Sequence, residues 1–309
     1  MKKIISILCL LLISEFTFSQ WTALSGGTTN YLYSVYFPDA NTGYVVGSGT
    51  ILKTIDGGAT WSSVSSGTTN TLYSVYFTNA KSGYVVGEKG TILKTSNGST
   101  TWITLPSGIK EDLQSVYFTS AKTGYVAGKK GTILKTIDGG TTWTALSSGT
   151  SKYLMSIYFT DALKGYAVGD SGTIIKTINS GTTWTALSSG TTRNLLEVHF
   201  PDANTGYVVG EQGTILKTIT SGTSWSELLS GTTNILYSVC FTNTKSGYAV
   251  GEKGTILQTI DGGITWTALL SGTTNLLMSV YFTDIKTGYG VGAGGTMLKT
   301  INGGVTVTR

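Results

Sequence analysis

The sequence predicts an all-β fold, a seven-bladed β-propeller with four antiparallel strands in each blade. The first observation is that tryptophan recurs at steps of 40 or 41 residues, and the second is that each interval repeats the same short apolar segments and glycine turns. Four short strands per period of about 40–45 residues are the signature of a propeller blade. The tryptophans are Trp21, Trp61, Trp102, Trp143, Trp184, Trp225 and Trp266.

The strands of one unit follow in a constant order. Each unit contains L-x-S-V-Y-F, G-Y-V-V-G, G-T-I-L-K-T and W-T-A-L or close variants, separated by turns. The segments are rich in Val, Ile, Tyr, Phe and Thr, which favour a pleated surface. After the leader, no stretch has the i, i+3, i+4, i+7 spacing of an amphipathic helix. Seven units therefore predict 28 strands.

The S-V-Y-F segments are apolar on both faces, as expected for inner strands between neighbouring blades. Because side chains alternate along a strand, we expect Val35 and Phe37 to face one neighbouring blade and Tyr36 the other.

The two ends of the repeat array complement each other. An unpaired outer strand, residues 21–24, opens the array, and Val307 stands where the seventh unit should have its tryptophan. We expect the N-terminal strand to complete the last blade, which would cover an open sheet edge and close the ring.

The glycine turn before each tryptophan matches the Asp-box pattern [ST]-x-D-x-G-x-T-W, fully or in degenerate form. A short polar side chain at its third position can accept hydrogen bonds from turn N–H groups, and Asp, Asn, Ser or Thr all serve. Calcium binding or catalysis is the alternative, but a catalytic role would not recur around a ring. The structural Asp-box residues are Asp56, Asn97, Asp138, Asn179, Thr220, Asp261 and Asn302.

The chain begins like a secretory signal peptide. Lys2 and Lys3 precede an apolar run from Ile4 to Ile13, which is too short to span a membrane comfortably. We expect residues 1–20 to be cleaved and residues 21–309 to form one propeller domain. The mature protein is expected to be secreted or to lie in the cell envelope, without a membrane span.

Composition argues against several functional classes. Only 12% of the residues are charged, the formal net charge is +5, and the only arginines are Arg193 and Arg309. Nucleic-acid binding usually needs a dense Lys/Arg stripe. His199 is the only histidine, so no histidine pair can ligate zinc. We expect a monomer that is not an enzyme, with no cofactor, no metal and no nucleic-acid partner.

Two features suggested further chemistry. His199 and Cys240 replace the inner-strand tyrosine in neighbouring units, either as a Cys–His nucleophile pair or, as we favour, as drifted core positions. Lysine recurs in the third strand of most units and in the turn between their first and second strands. It indicates either a basic face for an acidic polymer or membrane surface, or solvated positions copied by duplication.

The combined pattern G-Y-V-V-G … G-T-I-L-K-T-x-D-G-G-x-T-W resembles the BNR, or Asp-box, propellers of the photosystem II stability and assembly factor family, over residues 21–309. The resemblance implies an extracytoplasmic or lumenal, seven-bladed propeller that binds protein partners during photosystem assembly. It also implies an arginine-rich partner surface, for which this chain has too few arginines. We therefore place the chain among the similar non-photosynthetic, secreted bacterial proteins.

The segments before the inner strands differ between units that are otherwise nearly identical. Binding residues gather on loops of rigid scaffolds, and exposed Tyr, Met and Arg are favoured at interfaces. The candidate partner-binding residues are Tyr31, Tyr33, Tyr73, Glu111, Asp112, Lys152, Tyr153, Arg193, Glu197 and Tyr237. They predict a scaffold that binds a protein partner. The alternative is a carbohydrate-binding or glycosidase-like propeller with a polysaccharide partner, in which Asp112 and Glu197 would lie ~5–10 Å apart.

Overall fold

The computed structural model describes residues 21–304, which form a closed ring of seven four-stranded antiparallel sheets. The predicted fold class is therefore confirmed. Short 3-10 turns are the only helical elements of this part of the chain, and none of its helices is long and apolar enough to cross a membrane. The predicted signal peptide, residues 1–20, lies outside the described residues, as do residues 305–309.

The 28 strands follow the chain blade by blade. The N-terminal strand is β1 (Thr22–Ala23). Blade 1 contains β2 (Leu32–Tyr36), β3 (Gly43–Gly47), β4 (Thr50–Thr54) and β5 (Ser62–Val64). Blade 2 contains β6 (Leu72–Phe77), β7 (Gly83–Gly87), β8 (Ile92–Thr95) and β9 (Ile103–Leu105). Blade 3 contains β10 (Leu113–Phe118), β11 (Gly124–Gly128), β12 (Ile133–Thr136) and β13 (Thr144–Leu146). Blade 4 contains β14 (Leu154–Phe159), β15 (Gly165–Gly169), β16 (Thr173–Thr177) and β17 (Thr185–Leu187).

The remaining blades repeat this order. Blade 5 contains β18 (Leu195–His199), β19 (Gly206–Gly210), β20 (Ile215–Thr218) and β21 (Ser226–Leu228). Blade 6 contains β22 (Leu236–Phe241), β23 (Gly247–Gly251), β24 (Ile256–Thr259) and β25 (Thr267–Leu269). Blade 7 contains β26 (Leu277–Phe282), β27 (Gly288–Gly292) and β28 (Met297–Thr300). The 3-10 turns between second and third strands are Glu88–Gly90, Lys129–Gly131, Asp170–Gly172, Glu211–Gly213, Glu252–Gly254 and Ala293–Gly295.

The ring closes through the N-terminal strand, as predicted. Strand β1 pairs antiparallel with β28, with Thr22 opposite Lys299 and Ala23 opposite Leu298. The ring of Trp21 meets that of Phe282 edge-on, with centroids 5.9 Å apart. Trp21 thus takes the place that the other six tryptophans take in their own blades, and blade 7 gains its fourth strand.

The inner strands divide their side chains between two neighbouring blades, as expected. Val35 and Phe37 pack into a cluster with residues of blade 7, and Tyr36 packs against blade 2. A β-bulge between Leu32 and Ser34 interrupts the alternation and returns Leu32 to the Val35 side. The same bulge occurs in all seven inner strands. A bulge changes the direction of a side chain, and here the affected residue is Tyr33, which lies between Leu32 and Ser34.

The Gly-Tyr pair of each second strand is shaped by ring packing. A Cβ on Gly43 would lie 2.4 Å from Cε1 of Phe37, so only glycine lets the phenyl ring lie flat on the strand. The neighbouring Tyr44 then stacks on Phe77 of blade 2 with centroids 4.0 Å apart. In each Gly-Tyr pair, the glycine therefore contacts the phenylalanine ring of its own blade, and the tyrosine stacks on the phenylalanine ring of the next blade.

The third-strand lysines also join neighbouring blades. Lys94 donates from Nζ to the Gly139 carbonyl at 2.6 Å, and the Tyr84 hydroxyl donates to the same oxygen at 2.7 Å. Gln258, which interrupts the run of lysines, makes the equivalent bond to Gly303 at 3.0 Å. The donors are Lys53, Lys94, Lys135, Lys176, Lys217, Gln258 and Lys299. The third-strand lysines therefore form neither a basic face open to a ligand nor a set of solvated positions, because each is hydrogen-bonded to the next blade.

Candidate functional site

The central channel contains a cavity of about 200 Å³ at the end where the inner strands begin. Its upper ring of side chains comes from the bulged position of every inner strand. These residues are Tyr33, Tyr73, Gln114, Met155, Leu196, Tyr237 and Met278. Because a strand bulge sets their direction, the mouth of the channel is built on the rigid part of each blade rather than on flexible loops.

One residue further along each inner strand, a second ring links the blades. The Ser34 hydroxyl oxygen accepts a hydrogen bond from the Val75 N–H at 3.4 Å, and the bond recurs around the channel. The acceptors are Ser34, Ser74, Ser115, Ser156, Glu197, Ser238 and Ser279. Only blade 5 departs from serine, where Oε2 of Glu197 accepts from the Val239 N–H at 2.5 Å.

Glu197 therefore puts a carboxyl group into a ring of hydroxyls. Burial raises its pKa to about 7, although hydrogen bonds from Ser238 and the Val239 N–H favour the charged form. No lysine, arginine or histidine lines the cavity. The site thus holds an acidic group whose charge has no basic side chain beside it in the cavity.

Below the cavity, the tyrosines of the S-V-Y-F segments form a collar. The rings of Tyr117 and Tyr158 lie 5.0 Å apart, and the Tyr158 hydroxyl donates to the Phe200 carbonyl at 2.9 Å. The collar positions are Tyr36, Tyr76, Tyr117, Tyr158, His199, Cys240 and Tyr281. None of them lines the cavity, so the cavity ends above the collar.

His199 and Cys240 are collar members rather than a nucleophile pair. Burial lowers the pKa of His199 to about 4 and raises the pKa of Cys240 to about 12. Each is hydrogen-bonded to the backbone of the next blade, at Phe241 and Phe282 respectively. An activated cysteine needs a lowered thiol pKa beside a protonated base, and both shifts run the other way.

The predicted partner-binding tyrosines gather at the mouth. Tyr33, Tyr73 and Tyr237 line the cavity. Tyr31 stacks on Tyr33 at the rim, with centroids 6.3 Å apart and 48% of the Tyr31 surface exposed. Tyr153 lies beside them and donates from its hydroxyl to Oε1 of Gln114 at 2.7 Å.

The predicted charged residues of blades 3 and 4 lie in ion pairs and hydrogen bonds around this mouth. Glu111 pairs with Lys130 at 3.2 Å, which lowers its pKa. Asp112 pairs with Lys129 at 2.6 Å and accepts from the Lys89 N–H at 2.9 Å. Burial opposes ionisation of Asp112, but these bonds hold its pKa below the usual value. Lys152 donates to the Ser171 hydroxyl at 3.3 Å.

Arg193 is the predicted residue that the structure turns away from the channel. Its guanidinium donates to Oε1 of Glu227 on the outer strand β21 at 2.6 Å and to Oε1 of Gln212 at 3.1 Å. Asp112 and Glu197, the carboxylates of the glycosidase alternative, also have separate surroundings. Asp112 is bound to lysine groups and is not among the cavity residues, whereas Glu197 lines the cavity floor.

The Asp-box residues lie in turns at the other end of the blades. Oδ1 of Asp138 accepts from the Thr142 N–H at 2.9 Å, and Oδ2 accepts from the Thr142 hydroxyl at 2.7 Å. These bonds hold the pKa of Asp138 at about 2. Asn97 and Thr220 accept the equivalent backbone bonds at 3.1 Å. Within residues 21–304, no group of three or more His, Cys, Asp or Glu side chains could hold a metal ion.

Sequence reasoning missed part of the cavity. Gln114, Met155, Leu196 and Met278 line it beside the predicted tyrosines. The signal was available, because these residues stand at the repeat position of Tyr33 in their own units. Of the residues at this repeat position, only the three tyrosines were predicted.

The fold and the channel define the class of protein, a seven-bladed Asp-box propeller with a small cavity at the channel mouth. The sequence model of the family described as photosynthesis system II assembly factor YCF48 matches residues 61–151 and 218–270. Over these two segments the chain is similar to the Ycf48-type BNR-repeat propellers. No curated protein sequence matches it.

Solved structures share the whole ring. A structure of YCF48 bound to D1 peptide has a TM-score of 0.79 at 21% identity, covering 96% of this chain and 100% of that chain. YCF48 from Cyanidioschyzon merolae has a TM-score of 0.77 at 21% identity, covering 91% and 98%. The GH74 enzyme of Niastella koreensis has a TM-score of 0.79 at 15% identity, with 94% of this chain but 55% of that chain covered. At these identities the comparison shows a common fold.

Proposed function

We propose that this chain is a non-catalytic scaffold that binds a protein partner at the mouth of the central channel. The observation that carries the proposal is the cluster of tyrosine and methionine side chains around the cavity, held by seven inner strands. Tyr33 and Tyr73 already contact each other edge-on with centroids 5.3 Å apart, so little side-chain freedom would be lost on binding. Aromatic and methionine side chains on a rigid surface are typical interface anchors.

Similarity to YCF48 supports a polypeptide as the ligand. A YCF48 propeller of the same fold has been solved with D1 peptide bound. By analogy, this ring can serve as a platform for a peptide segment. The charged residues of blades 3 and 4, Glu111, Asp112 and Lys152, would then supply polar contacts beside the aromatic centre.

The carbohydrate alternative draws on the similarity to a GH74 enzyme. Two observations weigh against it. Small-molecule sites usually enclose about 300–1,000 Å³, and the cavity at the mouth is about 200 Å³. Glycoside hydrolysis needs two carboxyl groups flanking one bond, and Glu197 lines this cavity while Asp112 is held by Lys129 outside it.

We propose further that the protein is exported as a monomer after loss of residues 1–20 and works outside photosynthesis. The charged and apolar pattern of those residues supports export. N-terminal sequencing of protein recovered from the envelope or medium should give a start close to Trp21. Recovery of the protein from the cytoplasmic fraction with residues 1–20 still attached would contradict export.

The binding site is tested by site-specific cross-linking followed by direct titration. A photoreactive phenylalanine at position 33 should cross-link a protein in the source cell, while the same group at Ile219, exposed on the opposite face, should not. The captured protein is then purified and titrated against three forms of the chain. These are the wild type, a mouth variant with Tyr33, Tyr73 and Tyr237 changed to Ala, and a control with Ile55, Ile178 and Ile219 changed to Ala.

The mouth variant should lose at least about tenfold in affinity, because truncating a central aromatic anchor costs more than about 1–2 kcal/mol. The control should bind like the wild type. Thermal unfolding of both variants checks that the ring is intact. Equal affinity of the two variants, or cross-linking only through position 219, would overturn the proposal.

A further inference from the structure

The cavity at the mouth is lined by one carboxylic acid and by no basic side chain. Glu197 stands at a ring position where the other six blades have serine, and its remaining surface faces the cavity. The rest of the lining is tyrosine, serine, glutamine, methionine and leucine. A buried charge normally has an opposite charge as its partner, because leaving it alone costs several kcal/mol. Here that partner is missing from the protein side of the cavity.

The groups packed around Glu197 do not supply the charge. From blades 4 and 6, Ser156 and Ser238 present neutral hydroxyls. Below lies His199, which burial keeps neutral because its pKa falls to about 4, and Cys240, whose pKa is raised to about 12.

Above Glu197, the cavity tyrosines are equally uncharged at neutral pH. Burial raises the pKa values of Tyr33, Tyr73 and Tyr237 above the ordinary value. Two lysines around the mouth have partners outside the cavity: Lys129 pairs with Asp112, and Lys152 donates to Ser171.

We propose that the cavity receives one cationic side chain, lysine or arginine, of the bound protein, with the Glu197 carboxylate as its counterion. This inference rests on the proposed function, since it names the chemical feature by which the partner would be recognised. The tyrosines of the upper ring flank the path to Glu197, and an ammonium or guanidinium group near an aromatic face gains about 0.5–2 kcal/mol. The acid at the floor and the aromatic rings at the entrance therefore select for the same class of ligand group.

The shape of the cavity fits a single side chain. Its volume is about 200 Å³, below the range of sites that enclose a whole small molecule. The collar residues do not line it, so entry is from the mouth alone. A long unbranched side chain can reach an acid at the end of such a recess while its backbone stays on the rim. A divalent metal fits less well, because such ions need several oxygen ligands and Glu197 is the only carboxylate there.

The test compares three blocked pentapeptides, acetyl-Gly-Gly-X-Gly-Gly-amide with X as lysine, arginine or norleucine. Norleucine keeps the straight chain of lysine and removes its charge. Each peptide is titrated into the full protein and followed by chemical-shift changes. At pH 8 the lysine or arginine peptide should bind at least about tenfold more tightly than the norleucine peptide, a difference of about 1.4 kcal/mol. At pH 5.5 the preference should shrink, because Glu197 becomes protonated.

Three variants complete the design. Glu197→Gln removes the charge and keeps the shape, and Glu197→Ser restores the residue of the other six blades. Both should abolish the preference for the cationic peptides. Glu227→Gln, which neutralises an exposed glutamate on the outer strand β21, should keep it. A wild type without the preference, or a Glu197→Gln protein that retains it, would overturn the inference, and Glu197→Ser controls for folding because six blades already carry serine.

The outcome separates this inference from the proposed function. If the mouth variant with three alanines loses the cross-linked partner while Glu197→Gln binds it as well as the wild type, the scaffold proposal stands and the cation site fails. If the cationic peptides bind through Glu197 but position 33 cross-links no protein, the cation site stands and the scaffold proposal fails.

Discussion

At the scale of single residues, one substitution changes the chemistry of the channel without changing its geometry. Glu197 takes over the hydrogen bond that serine makes in the other six blades, since its Oε2 accepts from the Val239 N–H as Ser156 accepts from the Val198 N–H. The extra length of glutamate carries a carboxyl group into a space otherwise lined by neutral groups. The same residue therefore supports the ring and gives the cavity its only acid.

The burial of Glu197 predicts a stability that falls as pH rises. Its folded-state pKa of about 7 lies above its ordinary value of 4.5. The folded state then holds a proton that the unfolded chain has released. The stability contributed by this group is complete below pH 4.5 and is lost as pH rises through about 7. The difference corresponds to a loss of about 3 kcal/mol at pH 8.

Glu197→Ser should remove this loss. The free energy of unfolding of both proteins is measured by urea unfolding at pH 4.5, 6 and 8. The difference between the variant and the wild type should rise in favour of the variant by about 2–3 kcal/mol from pH 4.5 to pH 8. A difference between the two proteins that does not change with pH would show that the carboxyl group is not desolvated in the folded state.

At the scale of elements, three conspicuous repeats of the sequence prove to be parts of one contact. The Gly-Tyr pair, the third-strand lysine and the glycine turn meet where a tyrosine hydroxyl and a lysine ammonium both donate to one turn carbonyl of the next blade. In blade 3, Tyr125 and Lys135 reach the Ser180 oxygen at 2.9 and 2.8 Å. The lysine also lies 5.5 Å from the centre of the Tyr125 ring. Each blade is thus attached to the next near its outer side.

Substitution of Lys135 should separate the hydrogen bond from the charge. Lys135→Ala should lower the free energy of unfolding by about 1–2 kcal/mol, because the Ser180 carbonyl loses one donor. Lys135→Gln should cost less than half of that, since Gln258 makes the same bond in blade 6. Urea unfolding of the three proteins measures both values. Equal losses for Ala and Gln would mean that the charge, not the donor, carries the contact.

At the scale of the whole molecule, the ring depends on one short strand from the other end of the chain. Strand β1 contributes two residues to the ladder, and Trp21, which is 2% exposed, fills the pocket over Phe282. The remaining blades carry their outer strand in continuous sequence. Closure thus rests more on side-chain burial by Trp21 than on the length of the pairing.

Trp21→Ala should therefore be costly. Removing a fully buried tryptophan costs about 3–5 kcal/mol, and here the loss also weakens the pairing of β1 with β28. Trp225→Ala, at the same position of blade 5 but only half-buried, is the matched control and should cost less. Thermal unfolding measures the difference in Tm. A control that loses as much as Trp21→Ala would show that closure adds nothing to the burial of the ring.

The candidate site was predictable in outline but not in composition. A segment that varies between constant repeats pointed to the channel mouth, and Tyr33, Tyr73, Tyr237 and Glu197 do line one cavity. Arg193 stands in the same variable segment, yet it turns outward to Glu227. Arg193 precedes strand β18, so no strand alternation predicts the direction of its side chain, and in the folded ring its guanidinium pairs with the Glu227 carboxylate.

The number of blades, the four strands of each and the closure by residues 21–24 could be predicted from the sequence, because these features follow from local periodicity and from one missing element at the far end. The contacts that join the blades and shape the cavity could not be predicted in this way. The bond from Val239 to Glu197 spans 42 residues, and that from Tyr125 to Ser180 spans 55. Such pairs carry no local signal, since they exist only after neighbouring blades have packed face to face.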